Sequence, residues 1–124
     1  TVASFYDDII EKIKPEIIVG HCIGAYWALK MSLLHQIPCV IANPRLAPDF
    51  RDDYPSINDT DLDHNVPQVV YLELGDELSD MYAAQEILEN HMLIQAVEGG
   101  HHRLLKPENI NQLIEHLEQQ YLYK

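Results

Sequence analysis

The chain is short of most residues that would take it out of the class of ordinary folded domains. It has two cysteines in 124 residues, too few for the disulfide framework that stabilises small secreted domains. No apolar run approaches the ~18 residues of a membrane-spanning helix, and no secretory leader is visible. Lysine and arginine number 8 against 20 aspartates and glutamates, a formal net charge of -12. A surface so poor in cations argues against nucleic acid and anionic membranes as partners. Internal repeats and low-complexity tracts are both missing. There is no initiator methionine; Thr1 leads straight into an amphipathic helical pattern, as expected of a chain cut from a longer one or processed.

What is present is an alternating pattern. Hydrophobic residues make up 47% and charged residues 23%, which suits one soluble domain spanning residues 1–124. Val2–Lys14 has a helical period, with Phe5, Ile9, Ile10 and Ile13 on one face and Pro15 ending it. Ile17–Gly20 is expected as a strand, Ile23–Gln36 as a helix and Cys39–Ala42 as a short buried strand. Asn43–Val66 is polar and acidic, a loop or small cap over roughly 45–66. Its charge is concentrated in Asp49–Asp63, most simply a solvated loop, with a lid as the sharper reading. Val69–Leu74 and Met92–Val97 are further strands. Ser79–Asn90 and Pro107–Tyr121 are further helices, the first capped by Ser79 or Asp80. Continuous apolar strands alternating with helices predict an α/β fold of three layers, with a mostly parallel sheet of about four strands covered on both faces.

The two cysteines fall at opposite ends of neighbouring strands. At ~3.3 Å of rise per residue that is beyond disulfide reach. Free thiols suit a cytoplasmic location. Cys39, in Ile37-Pro38-Cys39-Val40-Ile41, is expected in the core.

Cys22 is different. Ile17-Ile18-Val19-Gly20-His21-Cys22-Ile23-Gly24-Ala25 runs a strand into Gly-x-Cys-x-Gly and then into a helix. In this context Gly-x-Ser-x-Gly forms a nucleophile elbow, a sharp turn that presents one side chain at the sheet's end. Gly20 and Gly24 are expected to avoid collisions with neighbouring backbone. A thiol at a helix N-terminus also faces the positive end of the helix dipole, which favours thiolate. Sites in open α/β sheets form at the carboxyl ends of strands, and two more polar candidates lie there. Asp76 follows the third strand in Leu74-Gly75-Asp76-Glu77. His102 follows the fourth in Glu98-Gly99-Gly100-His101-His102. A nucleophile, an imidazole and an orienting carboxylate are what acyl transfer requires. Each has a simpler reading: Cys22 a small residue at a tight junction, Asp76 a turn cap, His101 an exposed loop residue. Glu77 is a solvated neighbour that could substitute as the acid. His35, His64, His91 and His116 are expected at the surface. No metal-ligand spacing is present, so neither a metal nor another cofactor is expected.

The order Cys22, Asp76, His102 is that of the α/β-hydrolases, and the chain resembles the small bacterial esterases of the YqiA type within that superfamily. Val40-Ile41-Ala42-Asn43-Pro44 is similar to that family's strand ending in Asn-Pro. Leu74-Gly75-Asp76-Glu77 is similar to its Gly-Asp-Glu motif, and Glu98-Gly99-Gly100-His101-His102 to its Glu-Gly-Gly-x-His motif. The family's elbow carries serine where this chain has Cys22; dienelactone hydrolases use a similar cysteine elbow. The family also begins with a strand ending in a His-Gly-type loop that donates one oxyanion-hole amide, a segment these 124 residues do not include.

The resemblance implies a partial α/β-hydrolase fold and an esterase or thioesterase acting on a small acyl substrate. Cys22 would be the nucleophile, His102 the general base and then acid, and Asp76 its orienter. The backbone N–H of Ile23 would serve the oxyanion hole. His21, Asn43 and His101 are the candidate substrate contacts. The alternative is a non-catalytic remnant of that fold, a binding or oligomerising module. In either case Ile17–Gly20 would be an open apolar edge, and a homodimer covering it is expected.

Overall fold

The computed structural model describes residues 1–48 and 54–122. Helix α1 spans Val2–Ile13, β1 Ile18–His21, α2 Ile23–His35 and β2 Cys39–Ala42. The one-turn helix α3 follows at Asp59–Leu62, then β3 at Gln68–Glu73, α4 at Met81–Leu88, β4 at Leu93–Val97 and α5 at Glu108–Leu117. A single wide turn, Glu118–Leu122, extends α5. The four strands form one sheet in the order β1-β2-β3-β4, every pair parallel.

Alternation along the strands divides the core in two. Cys39 and Ile41 of β2, with Val70 and Leu72 of β3, face α2 and α4 through Ala25, Ala28, Leu29, Met81, Ala84 and Leu88. Val40, Ala42, Val69 and Tyr71 face Leu113 and Leu117 of α5. Helices therefore cover both faces, the three-layer α/β/α arrangement. Strands β2 and β3 are buried along their whole lengths, which is why their sequences are continuous apolar runs. Cys39 pairs with Ile18 at the first position of β1, well away from Cys22, and both thiols are free.

Local chemistry sets the helix ends. The Thr1 hydroxyl accepts the Ser4 N–H, and Asp80, not Ser79, caps α4 by accepting the Ala83 N–H. Asn58 and Asp61 form a reciprocal capping box around α3. The described part of the acidic segment is packed against the domain. Leu46, Ile57 and Leu62 are buried with the α2/α4 face, and Tyr26 donates to the Pro55 carbonyl at 2.7 Å. The rest of Asp49–Asp63, residues 49–53, lies outside the described residues.

The setting of α1 was left open by the sequence, and two expectations need correction. The apolar face of α1 is only partly covered: Ile10 is buried, but Phe5 and Ile13 are 61% and 69% exposed. The space beneath the helix is a groove of about 300 Å³ between α1, α2 and the outer edge of β1. Of the four histidines expected at the surface, only His116 is exposed. His35 bonds Asp7 at 2.8 Å, His91 bonds Asp59 at 2.9 Å, and His64 accepts the Val66 N–H. Finally, the two elbow glycines differ. A Cβ on Gly20 would overlap the carbonyl of Gly24, whereas a Cβ on Gly24 would meet nothing.

The glycine difference yields a paired prediction. Gly20→Ala forces backbone apart and should cost about 1–3 kcal/mol. Gly24→Ala should be neutral or stabilising by up to ~1 kcal/mol, because alanine is the better helix former. Urea unfolding of the two variants beside the wild type checks both signs.

Candidate active site

The elbow is formed by the junction of β1 and α2. Cys22 has φ 59° and ψ -118°, a conformation that side chains other than glycine adopt only under constraint. Its backbone bonds supply that constraint. The Cys22 N–H donates to Ala42 O at 3.2 Å, and its carbonyl accepts from Ala25 at 3.1 Å, Tyr26 at 3.3 Å and Arg45 at 3.0 Å. The side chain is thereby turned out of the helix. It is half-buried and makes no capping hydrogen bond. Ile23 begins α2, so its N–H is one of the helix's unpaired terminal donors.

Asp76 lies in the turn after β3, its side chain fully buried. Oδ1 accepts the N–H groups of Leu78 at 2.8 Å and Ser79 at 3.1 Å. Oδ2 receives Asn43 Nδ2 at 2.9 Å and His102 Nδ1 at 3.0 Å. A carboxylate only accepts, so Nδ1 of His102 carries a proton, and in the neutral imidazole Nε2 is then the acceptor. Burial pushes the Asp76 carboxyl up, but these donors outweigh it and hold the group below its ordinary value. Glu77 does not replace it. Glu77 is exposed, and its Oε2 accepts the backbone N–H of His102 at 3.0 Å.

His102 is thus held at three points, the third being its carbonyl, which accepts from His21 Nε2 at 2.9 Å. The two imidazoles stand 5.2 Å apart between centroids. The residue before Cys22 therefore touches the residue expected to serve it. His101 is more exposed and points at Glu77, with Nδ1 3.4 Å from Oε2. Asn43 takes a different place from the expected substrate contact. It is 1% exposed, and its side chain joins the ends of β2 and β3. Nδ2 donates to Glu73 O at 3.1 Å as well as to Asp76, and Oδ1 accepts the Glu73 N–H at 2.8 Å. No group of three or more metal-ligating side chains occurs among the described residues.

Sequence reasoning passed over Glu73, the last residue of β3, which is fully buried. Burial pushes its carboxyl up, but the N–H groups of Leu105, Lys106 and His101 and the Tyr71 hydroxyl reverse this and lower it overall. Tyr71 is driven the other way, to about 12, by burial and by that carboxylate. The signal was available: a glutamate inside Val-Val-Tyr-Leu-Glu-Leu is a charge in a run that otherwise reads as core.

No family model and no curated protein matches the chain. Solved structures do match in fold. MGS-MChE2, an alpha/beta hydrolase enzyme from a sediment metagenome of the Mar Chica lagoon in Morocco, aligns with a TM-score of 0.72 at 14% identity. The alignment covers 95% of this chain and 68% of that one. An alpha-beta serine hydrolase homologue from Coxiella burnetii aligns at 0.61 and 13% identity, over 97% of this chain and 56% of the other. The four-stranded parallel sheet with its flanking helices is therefore the α/β-hydrolase fold, spanning part of the length of those chains.

The two buried carboxyls, both lowered, predict acid sensitivity. Their ordinary values are 3.8 for Asp76 and 4.5 for Glu73. Folded values below these mean that protonation favours the unfolded chain. The stabilisation is full above about pH 4.5 and is lost as pH falls through the lowered values. Urea midpoints at pH 7 and pH 3 should differ, and Asp76→Asn should flatten that dependence.

Proposed function

We propose that the chain is an esterase or thioesterase of the α/β-hydrolase kind, similar to the small YqiA-type esterases, acting through Cys22, His102 and Asp76. The observation that carries the reading is the 3.0 Å bond between His102 Nδ1 and the buried Asp76, on a loop that also touches the elbow through His21.

The chemistry follows from the proton positions. His102 Nε2 takes the thiol proton as Cys22 Sγ attacks the acyl carbonyl. The oxyanion develops beside the Ile23 N–H, a preorganised donor of the kind whose removal costs about 3 kcal/mol. His102 returns the proton to the leaving alkoxide or thiolate, leaving an acyl-thioester on Cys22. Water then attacks, again with His102 as base, and carboxylic acid and free thiol result. Asp76 keeps the Nδ1 proton in place throughout and does not itself become protonated. Substrate contact falls to His21 and His101, the exposed members of the cluster. The substrate is a small acyl ester or thioester, and no cofactor enters.

Turnover of p-nitrophenyl acetate tests the reading. Cys22→Ala should fall to background and His102→Ala nearly so, while His101→Ala keeps most of the rate. Asp76→Asn should lose a factor on the order of 10⁴, the effect of a wrong imidazole tautomer. Full activity in Cys22→Ala excludes the mechanism; a folded but inactive wild type moves weight to the non-catalytic binding module.

Thiol labelling gives a second, independent check. Cys39 is completely buried, and burial, only partly offset by a hydrogen bond with Ser32, pushes its thiol up to about 12. Iodoacetamide should modify Cys22 and spare Cys39 in the folded chain; equal labelling would count against a reactive elbow thiol.

The homodimer belongs to the same proposal. Strand β1 is the outer strand of the sheet, with Val19 50% exposed. Backbone groups on such an edge favour pairing with a second strand. Sedimentation at micromolar concentration should show a dimer, and a clean monomer in which the Val19 amide is protected from exchange would refute it.

A further inference from the structure

Glu73 is fully buried, where an ionised carboxylate persists only if fixed donors replace its water. Four do. Oε1 accepts the N–H of Leu105 at 2.9 Å and of His101 at 3.3 Å. Oε2 accepts the N–H of Lys106 at 2.9 Å and the hydroxyl of Tyr71 at 2.7 Å. Asn109 of α5 donates in turn to the Tyr71 oxygen at 3.2 Å. Three of the four donors to Glu73 lie in one loop, and His102 stands between the first and second of them. The loop is shaped to this carboxylate: Gly100 has φ +84°, and a Cβ there would overlap Glu73 Oε1.

We propose that Glu73 is a positioning residue for His102. Its charge pins the 101–106 loop to the end of β3, at the height where the imidazole meets Asp76. The inference rests on the reading of His102 as the base. Glu73 itself faces loop amides and Tyr71, with no surface open to a substrate. Of the direct holds on His102, Asp76 is buried and grips the imidazole alone, whereas Glu77 and His21, which grip its backbone, are exposed to water. Glu73 acts where water does not enter, so its bonds set the loop. Charge is essential, not shape alone. Glutamine would offer one acceptor oxygen in place of two and would set an NH₂ against main-chain N–H groups.

The test reads the imidazole, not turnover. In ¹⁵N-labelled wild type, long-range ¹H–¹⁵N spectra at pH 7.5 should show His102 mainly as the Nδ1–H tautomer. In Glu73→Gln, folded by its amide dispersion, the Nδ1–H to Nε2–H ratio should fall about tenfold, as the loss of one net hydrogen bond gives. Glu73→Asp, which keeps the charge, should recover part of the ratio. A folded Glu73→Gln chain with the wild-type ratio overturns the proposal. Should that variant fail to fold, hydrogen exchange of the wild type decides. Amides of His101, Leu105 and Lys106 are expected to be as protected as those of β3, and exchange at the rate of an exposed peptide overturns the assignment. A wild type without esterase activity whose Glu73→Gln variant still shows the tautomer shift supports the positioning role and removes only the catalytic reading above.

Discussion

A charge can be kept in an apolar interior only where fixed donors stand in for the water it has lost. At the carboxyl end of β3 this constraint is met twice, for Glu73 and for Asp76. Satisfying them recruits nearly every segment around the site. The β2 end supplies Asn43, the turn after β3 supplies the Leu78 and Ser79 amides, and the loop after β4 supplies three amides and an imidazole. Helix α5 contributes Asn109, which donates to the Tyr71 hydroxyl of β3, itself a donor to Glu73. The carboxylates are not ornaments on a finished scaffold; they determine where the loops of the scaffold can go.

The elbow solves the opposite problem. Around Asp76 and Glu73 side chains restrain backbone, whereas at Cys22 backbone restrains a side chain. Four main-chain hydrogen bonds hold its positive φ, and the close approach of Gly20 to Gly24 leaves no room for the turn to relax. One side of the site is therefore fixed by steric contact and the other by electrostatics. His21 joins them by donating from the elbow to the His102 carbonyl.

Much of the fold was legible because buried parallel strands leave a plain trace. Cys39–Ala42 stands where its apolar run put it, and the remaining strands and helices differ mainly at their ends. The differences have physical causes. Strand β3 starts at Gln68, a polar residue made acceptable inside by a 3.1 Å bond to the Ser32 hydroxyl. Helix α4 starts late because the Ser79 and Leu78 amides are committed to Asp76. The apolar stripe of α1 left its burial open, because burial depends on what lies opposite, and the sequence of one helix does not say. In the site, the 3.0 Å contact of Asp76 with His102 joins two residues that their motifs at strand ends had singled out. Asn43 was picked out for the wrong reason, since an asparagine after a strand looks alike whether it faces a ligand or a neighbouring strand. Glu73 was visible as a charge in an apolar run, but its role was not, because three of its donors are backbone amides some thirty residues away, which leave no mark on composition or spacing.

Strand order in the sheet follows chain order, from β1 to β4. Among these four, each strand can therefore dock on the one before it as the chain emerges during synthesis. The elbow follows the earliest of the four and His102 the latest. A chain halted before β4 would already display its thiol beside three of these strands, with His102 not yet in place and with the carboxylate of Glu73 still open to water. Placement of the 101–106 loop and withdrawal of that charge from solvent are then a single event, so the arrival of β4 closes this part of the core and the site together.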